Sequence, residues 1–151
     1  MEKTLTFKNF IGELSVTYKR TSRPTIEISD SKTATNFMMK YFDKNLDNFK
    51  EIKVLHLNKS NQVINVHHAS KGSFNECILP INEIVINALL LKTDSIILFQ
   101  NDPGGTIDNL NKYYEDSKAL KDATKLFKIN LFDSIILSRE NHVSLSEHQL
   151  L

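Results

Sequence analysis

Three polar residues, Gln100, Asn101 and Asp102, close an unbroken aliphatic run, Ser95-Ile-Ile-Leu-Phe99, and Pro103-Gly104-Gly105 turns the chain behind them. Continuous aliphatics read as a strand covered on both faces, and the C-terminal end of such a strand is where an α/β protein presents its working groups. The chemistry on offer is one carboxylate and two neutral amides. Asp102 has two readings, a functional carboxylate or plain turn chemistry, because Asn-Asp-Pro-Gly-Gly is strong turn sequence by itself. Gly104 and Gly105 ahead of a helix would offer free N–H groups to a phosphate. No P-loop lysine follows them, and Asp102 and Asp108 would repel an anion, which argues against a nucleotide at this turn.

The five histidines make no metal-binding pattern. His67 and His68 are neighbours on a strand, so their side chains leave on opposite faces. His56, with Val54 as its same-face neighbour, reads as a hydrogen-bonded structural histidine. His142 and His148 lie in the tail without spaced partners. Cys77 has no nearby histidine in sequence to activate it and reads as an inert thiol. No HExxH, CxxC or other zinc spacing occurs.

These groups must be held by elements that the apolar periodicity outlines. Residues 11–19 alternate apolar and polar, as a half-exposed strand does, and Arg20 to Pro24 is a polar connection. Ser29, Asp30 and Ser31 are candidate caps for a helix over Lys32–Phe42, whose Ala34, Phe37, Met38 and Tyr41 form a core stripe. Asp43 to Lys50 is a charged loop. Two strands follow, Glu51–Leu57 and Val63–Ala69, joined by Asn58 to Gln62, a hairpin loop that lacks the usual glycine. Lys71-Gly72-Ser73 turns the chain, and Pro80 opens a helix running to about Lys92 with Ile81, Ile84, Val85, Ala88 and Leu89 on one face. Beyond the Ser95–Phe99 strand and its turn, a long helix starts near Thr106 or Asp108. Ile107, Leu110, Tyr114, Ser117, Leu120, Thr124 and Phe127 step along one side of it. Ile129–Leu137 is another strand, Val143 with Leu145 makes a short last one, and the tail between His142 and Leu151 is polar enough to fray, except for Leu150 and Leu151. Strand, helix, hairpin, helix, strand, helix, strand is the order of an α/β domain with a mixed sheet.

The 151 residues suit one domain with a real core. With 19 basic and 18 acidic residues, net charge is +1, which gives no electrostatic footprint for nucleic acid or an anionic membrane. No apolar run approaches the roughly 20 residues of a membrane helix, and the opening Met-Glu-Lys-Thr-Leu-Thr-Phe has no signal-peptide core. One cysteine excludes an internal disulfide and fits a reducing cytosol. A cytoplasmic protein is the expectation.

Four segments together resemble a RadC-type JAB/MPN domain, the fold of the JAMM metalloproteases. They are Glu51-Ile-Lys-Val-Leu-His-Leu-Asn58 with Asn61-Gln-Val-Ile64; Ser70-Lys-Gly-Ser-Phe-Asn75 with Pro80 and its helix; Ser95 to Gly105, matching a strand that normally ends His-Asn-His-Pro-Ser-Gly; and Leu131-Phe-Asp-Ser-Ile-Ile-Leu137. Val16 to Phe42 resembles the lead-in of short RadC-like proteins. The resemblance implies an α/β, JAB/MPN-like (cytidine-deaminase-like) mixed β-sheet flanked by helices. Residues 1–50 would be a strand-and-helix lead-in and 51–151 the core of the same single domain.

In that family a glutamate from the first strand acts as base. A His-x-His pair and a later aspartate hold zinc with a water in the fourth position, and a serine stabilises charge on the attacked carbonyl. Carried onto this chain, Glu51 stands at the base position as a candidate remnant, although a glutamate at a strand's edge also reads as solvated surface. Gln100 and Asp102 take the histidine positions, Leu110 the serine position and Tyr113 the aspartate position. Pro103 and Gly105 remain, with Gly104 between them in place of serine, and Ser134 replaces the histidine after Asp133. A three-residue shift would instead bring Asp116 to the aspartate position. Amide oxygen and phenol are poor zinc ligands, and leucine donates no hydrogen bond. The resemblance therefore implies zinc, while the residues present imply no cofactor.

The expected function is a catalytically inactive binding or structural module of a family traditionally labelled DNA repair. Its partner is unknown; a protein or a second copy is possible, as inactive MPN domains commonly dimerise through an aliphatic face. The charge balance supports neither direct nucleic-acid binding nor membrane binding. The alternative is a metal-dependent peptide or isopeptide hydrolase with a rearranged site using Glu51 and Asp102.

Overall fold

A computed structural model describes residues 9–107 and 110–151. Its elements are α1 (Ser31–Phe42), β1 (Glu51–Leu57), β2 (Val63–Lys71), α2 (Ile81–Leu90), β3 (Ser95–Asn101), α3 (Leu110–Lys125), β4 (Asn130–Leu137) and β5 (His142–Ser144). The strands form one sheet in the order β2-β1-β3-β4-β5. Only β3 and β4 run parallel; the other neighbouring pairs are antiparallel. That parallel pair needs a long crossover, and α3 supplies it.

Alternation along the central strands feeds two cores. Leu55, Leu57, Ile97 and Phe99 pack with Ala34, Met38 and Phe42 of α1 on one face. Ile52, Val54, Ile96 and Leu98 pack with Ile84 and Ala88 of α2 and Leu120 of α3 on the other. A third cluster, Tyr113, Ile136 and Leu145, seals the end of the sheet where the candidate site lies. The mixed, helix-flanked α/β sheet is the one the sequence predicts.

Several local expectations are corrected. Residues 11–19 form no strand; they are exposed and carry no regular secondary structure. Tyr18 Oη donates to the Ile64 carbonyl at 2.6 Å, but residues 25–28 hold the start of β2 instead, through the Val63 N–H to Ile26 O bond and the Ile28 N–H to Asn61 O bond. Alternation gave the segment a strand's pattern without a neighbouring backbone to pair with. Asp30, among the three candidate caps, is the N-cap of α1 and accepts the Thr33 N–H at 2.7 Å. The hairpin loop manages without glycine because Asn61 adopts φ 58° and the Asn58 carboxamide accepts the N–H groups of Ser60 and Gln62.

β3 extends two residues beyond Phe99, so Gln100 and Asn101 are strand residues rather than turn. Thr106 and Ile107 are not helical, and Asp108 lies outside the described residues, as does the opening heptapeptide. Tyr113, not Tyr114, is the buried tyrosine of α3. Phe127 falls beyond that helix and is half-exposed. The tail is anchored rather than frayed. Asp133, buried in β4, accepts from Ser144 Oγ at 2.5 Å and from the Ser146 N–H at 3.0 Å. Leu145 is fully buried, and the Leu150 N–H closes on its carbonyl.

Candidate functional site

The C-terminal end of β3 meets the start of β1 and the first turns of α3. Antiparallel register sets Ile52 opposite Gln100, so the next same-face pair along the two chains is Lys50 with Asp102. Lys50 is held on both sides by backbone: its N–H donates to Ser73 O and its carbonyl accepts from Gly72 N–H, each at 2.8 Å. Its ammonium donates to Tyr113 Oη at 2.8 Å and lies 4.7 Å from the centre of that ring. The phenol in turn donates to Asp102 Oδ2 at 3.3 Å. Ammonium, phenol and carboxylate thus form one relay across three elements.

The electrostatics follow from partial burial. Burial lowers the pKa of Lys50, and the Asp102 charge opposes that shift. Tyr113 is raised, first by burial and then by the Asp102 carboxylate, so the phenol keeps its proton. Burial also raises Asp116, one helical turn on, while Lys112 and Lys50 hold it back.

Asp102 carries the turn chemistry expected of it and also faces the α3 side chains. Its Oδ1 accepts the Gly104 N–H at 3.2 Å, closing the turn, and its Oδ2 belongs to the relay. Gly105 takes φ 81°, a conformation glycine tolerates. Gln100 is buried, and its Nε2 has no hydrogen-bond partner among the described residues. Leu110 is half-buried in the third cluster. Tyr113 reaches Asp102 in the ungapped register, so the shift that would install Asp116 is not needed to close the site.

Glu51 is not brought to this site. Its parity is that of Lys53 and Leu55, and its carboxylate lies 3.3 Å from Lys53 Nζ on the α1 face. Nor is it solvated surface: it is 8% exposed, and Oε1 is buried without a hydrogen-bond partner among the described residues. Lys53 Nζ also meets His68 Nδ1 at 2.6 Å and stands 5.3 Å from the Phe42 ring centre.

One residue of the site, Lys50, escapes sequence reasoning, and so does the structural role of Asn101. Lys50 reads as the end of a charged loop, yet it shares parity with Ile52 and Val54, and counting that alternation back one step would have found it. Asn101 is fully buried. Its Oδ1 accepts the Glu51 N–H at 2.7 Å, and its Nδ2 donates to the carbonyls of Leu46 and Phe49. It clamps the α1–β1 connection to β3 and so sets the position of Lys50. The signal was an amide inside a buried strand, where an unpaired polar group is costly.

The remaining candidates behave as read. His56 is fully buried between Thr93 Oγ1 at 2.9 Å and Asn87 Nδ2 at 3.2 Å. Burial, with a smaller contribution from His67, holds its pKa down at about 3. His67 and His68 leave on opposite faces, toward His56 and Tyr41 respectively. Cys77 Sγ meets Ser70 Oγ at 3.4 Å, and the residue packs against the α2-face core.

The donors at the β3 end do not suit zinc: one carboxylate already in a turn and a relay, a neutral amide, a protonated phenol and an ammonium. Among the described residues no three His, Cys, Asp or Glu side chains converge as a metal set. Nor is any described helix long and apolar enough to cross a membrane.

Residues 28–150 match the family model of the RadC-like JAB domain. A UPF0758 protein of Clostridium acetobutylicum is 32% identical over 142 residues, covering 93% of this chain and 61% of that protein. One from Clostridium novyi is 32% identical over 113 residues, covering 75% and 47%. One from Staphylococcus haemolyticus is 29% identical over 131 residues, covering 86% and 56%. The chain spans about half the length of the curated relatives it matches.

Proposed function

The chain belongs to the RadC-like JAB domain family, and from that premise we propose that it is a catalytically silent member, kept as a binding or structural module. The observation that carries this reading is the Lys50–Tyr113–Asp102 relay. A lysine ammonium occupies the face where the family resemblance implies a metal cation, bonded to the phenol at the aspartate position. A zinc ion there would meet a fixed positive charge within hydrogen-bonding reach of its own ligand positions, and like charges so close repel strongly in a half-buried site. Leu110 at the serine position offers no donor to a developing oxyanion.

The alternative hydrolase, with Glu51 as base and Asp102 as ligand, is disfavoured because the two carboxylates leave opposite faces of the sheet. The same reading keeps the chain a cytoplasmic protein whose partner is another protein, a second copy of itself or a small ligand.

Metal content tests it. The purified protein, incubated with zinc and dialysed, is expected to retain far less than one equivalent, and Asp102→Ala to retain no less than wild type. Lys50→Glu, which exchanges the ammonium for a second carboxylate beside Asp102, is expected to gain divalent-cation binding. Stoichiometric zinc in the wild type that disappears in Asp102→Ala would overturn the proposal.

A further inference from the structure

A second concavity lies away from the β3 end. Residues 18–25, α1 and the first half of β2 enclose an open groove of about 880 Å³. That is within the size of small-molecule sites, roughly 300–1,000 Å³. Its charge is segregated. Lys19, Arg20 and Arg23 line it, and no aspartate or glutamate does among the described residues, in a chain carrying 18 acidic side chains overall.

Its second feature is a run of rings. Phe37 and Tyr41 stand 5.7 Å apart between centres, and Tyr41 and His68 6.2 Å. Tyr18, 61% exposed, also lines the groove, its hydroxyl bonded to the Ile64 carbonyl of β2. Arg23 donates to Tyr41 Oη at 3.2 Å, and its guanidinium lies 5.7 Å from that ring's centre. Lys40 adds a cation 5.3 Å from the same centre.

The third feature is an oriented donor. Lys53, an ammonium buried behind the groove, occupies His68 Nδ1 at 2.6 Å. Ammonium has no lone pair, so Nδ1 must accept, and the neutral ring then carries its proton on Nε2. Burial and the Lys53 charge hold the His68 pKa down, although Glu51 opposes them, so the ring stays neutral.

Clustered guanidinium and ammonium groups favour phosphate, and exposed aromatic rings beside them favour a planar base. From this pairing we propose that the groove between residues 18–25, α1 and β2 binds a nucleotide unit, its phosphate on Lys19, Arg20 and Arg23 and its base against Tyr18 or Tyr41. The open trough accepts the unit either free or within a single strand. An acidic peptide would use the cations but has no use for the rings. The inference is independent of the metal state at the β3 end, and its failure leaves that reading untouched.

The test uses the full chain with two probes, AMP by calorimetry and a fluorescein-labelled oligothymidylate by polarisation, with polyglutamate as competitor. Binding is expected to fall as salt rises, and Lys19→Glu/Arg20→Glu to weaken it at least tenfold. Both residues are exposed, and a thermal melt checks that the double variant folds. Each cation removed should flatten the salt slope for the oligonucleotide by roughly 0.7. Tyr18→Ala is expected to weaken binding about tenfold while Tyr18→Phe retains it. AMP binding would assign free nucleotide as the source; oligonucleotide binding alone would assign single-stranded nucleic acid. Binding of neither probe, equal competition by polyglutamate, or no loss in the folded double variant would overturn the proposal.

Discussion

A single side chain, Lys50, changes the meaning of the β3 end. An ammonium hydrogen-bonded to a phenol that is itself bonded to a carboxylate balances charge within the relay, which is what the proposed metal-free reading rests on. His56 illustrates the opposite solution, a buried ring kept neutral by desolvation and paired with Thr93 and Asn87. Its folded pKa, about 3, lies below the ordinary value near 6.5. Because the unfolded chain takes up this proton first, the stability it contributes is full above about pH 6.5 and is lost as pH falls toward 3. Between about pH 7.5 and pH 5 the loss from His56 alone is about 2 kcal/mol, at 1.36 kcal/mol per unit below 6.5. His67 and His68, both lowered by burial, add in the same direction. Urea unfolding at the two pH values should show this fall, and His56→Gln should remove the larger part of it. An unchanged pH dependence in the variant would place the titrating group elsewhere.

At the scale of elements, Lys50 owes its place to the turn after β2. Gly72 bonds to the Lys50 carbonyl, and the Ser73 N–H is closed by Glu76 O at 2.8 Å. A Cβ on Gly72 would come within 1.9 Å of Glu76 O and 2.8 Å of Cys77 Cα, both backbone. Gly72→Ala is therefore expected to cost about 1–3 kcal/mol in urea unfolding, and to disturb the environment of Tyr113 through Lys50, visible in tyrosine ultraviolet absorbance. A variant as stable as wild type would mean that the turn opens at no cost. The periodicity of α1 and α2 was legible because each has one face against the sheet, and β1 was legible as a short apolar run because it is buried on both faces. The end of α3 was not: its apolar steps continue to Phe127, but the chain leaves the helix through Lys128 at φ 58°, and Ile129 N–H returns to Thr124 O.

For the whole molecule, protection should follow the sheet order. β1 and β3 are hydrogen-bonded on both sides and carry both cores, so their amides should exchange most slowly. Residues 11–19 should exchange at nearly unprotected rates, because they are exposed and outside any strand or helix, with Leu14 and Val16 on the surface. Hydrogen exchange followed by mass spectrometry checks both. Protection over 11–19 would reveal a strand partner for that segment, and its dependence on protein concentration would identify that partner as a second copy. The groove that residues 18–25 help to wall also exists only at this scale, since its cations, rings and backing lysine come from four separate stretches, residues 18–25, α1, β1 and β2.

The amino-acid sequence alone determined the α/β class, the order from α1 to β4 and the polar end of β3, because burial on one or two faces writes a period of 3.6 or 2 into the chain. It also carried the family resemblance and the substitutions at Gln100, Asp102, Leu110 and Tyr113. Tertiary structure decided which residues meet. A shift of one position along β1 exchanges Glu51 for Lys50 at the site, and only the register against β3 says which of the two faces α3. Net charge, +1 over the chain, hid the local segregation of Lys19, Arg20 and Arg23, because a sum over residues carries no positions in space.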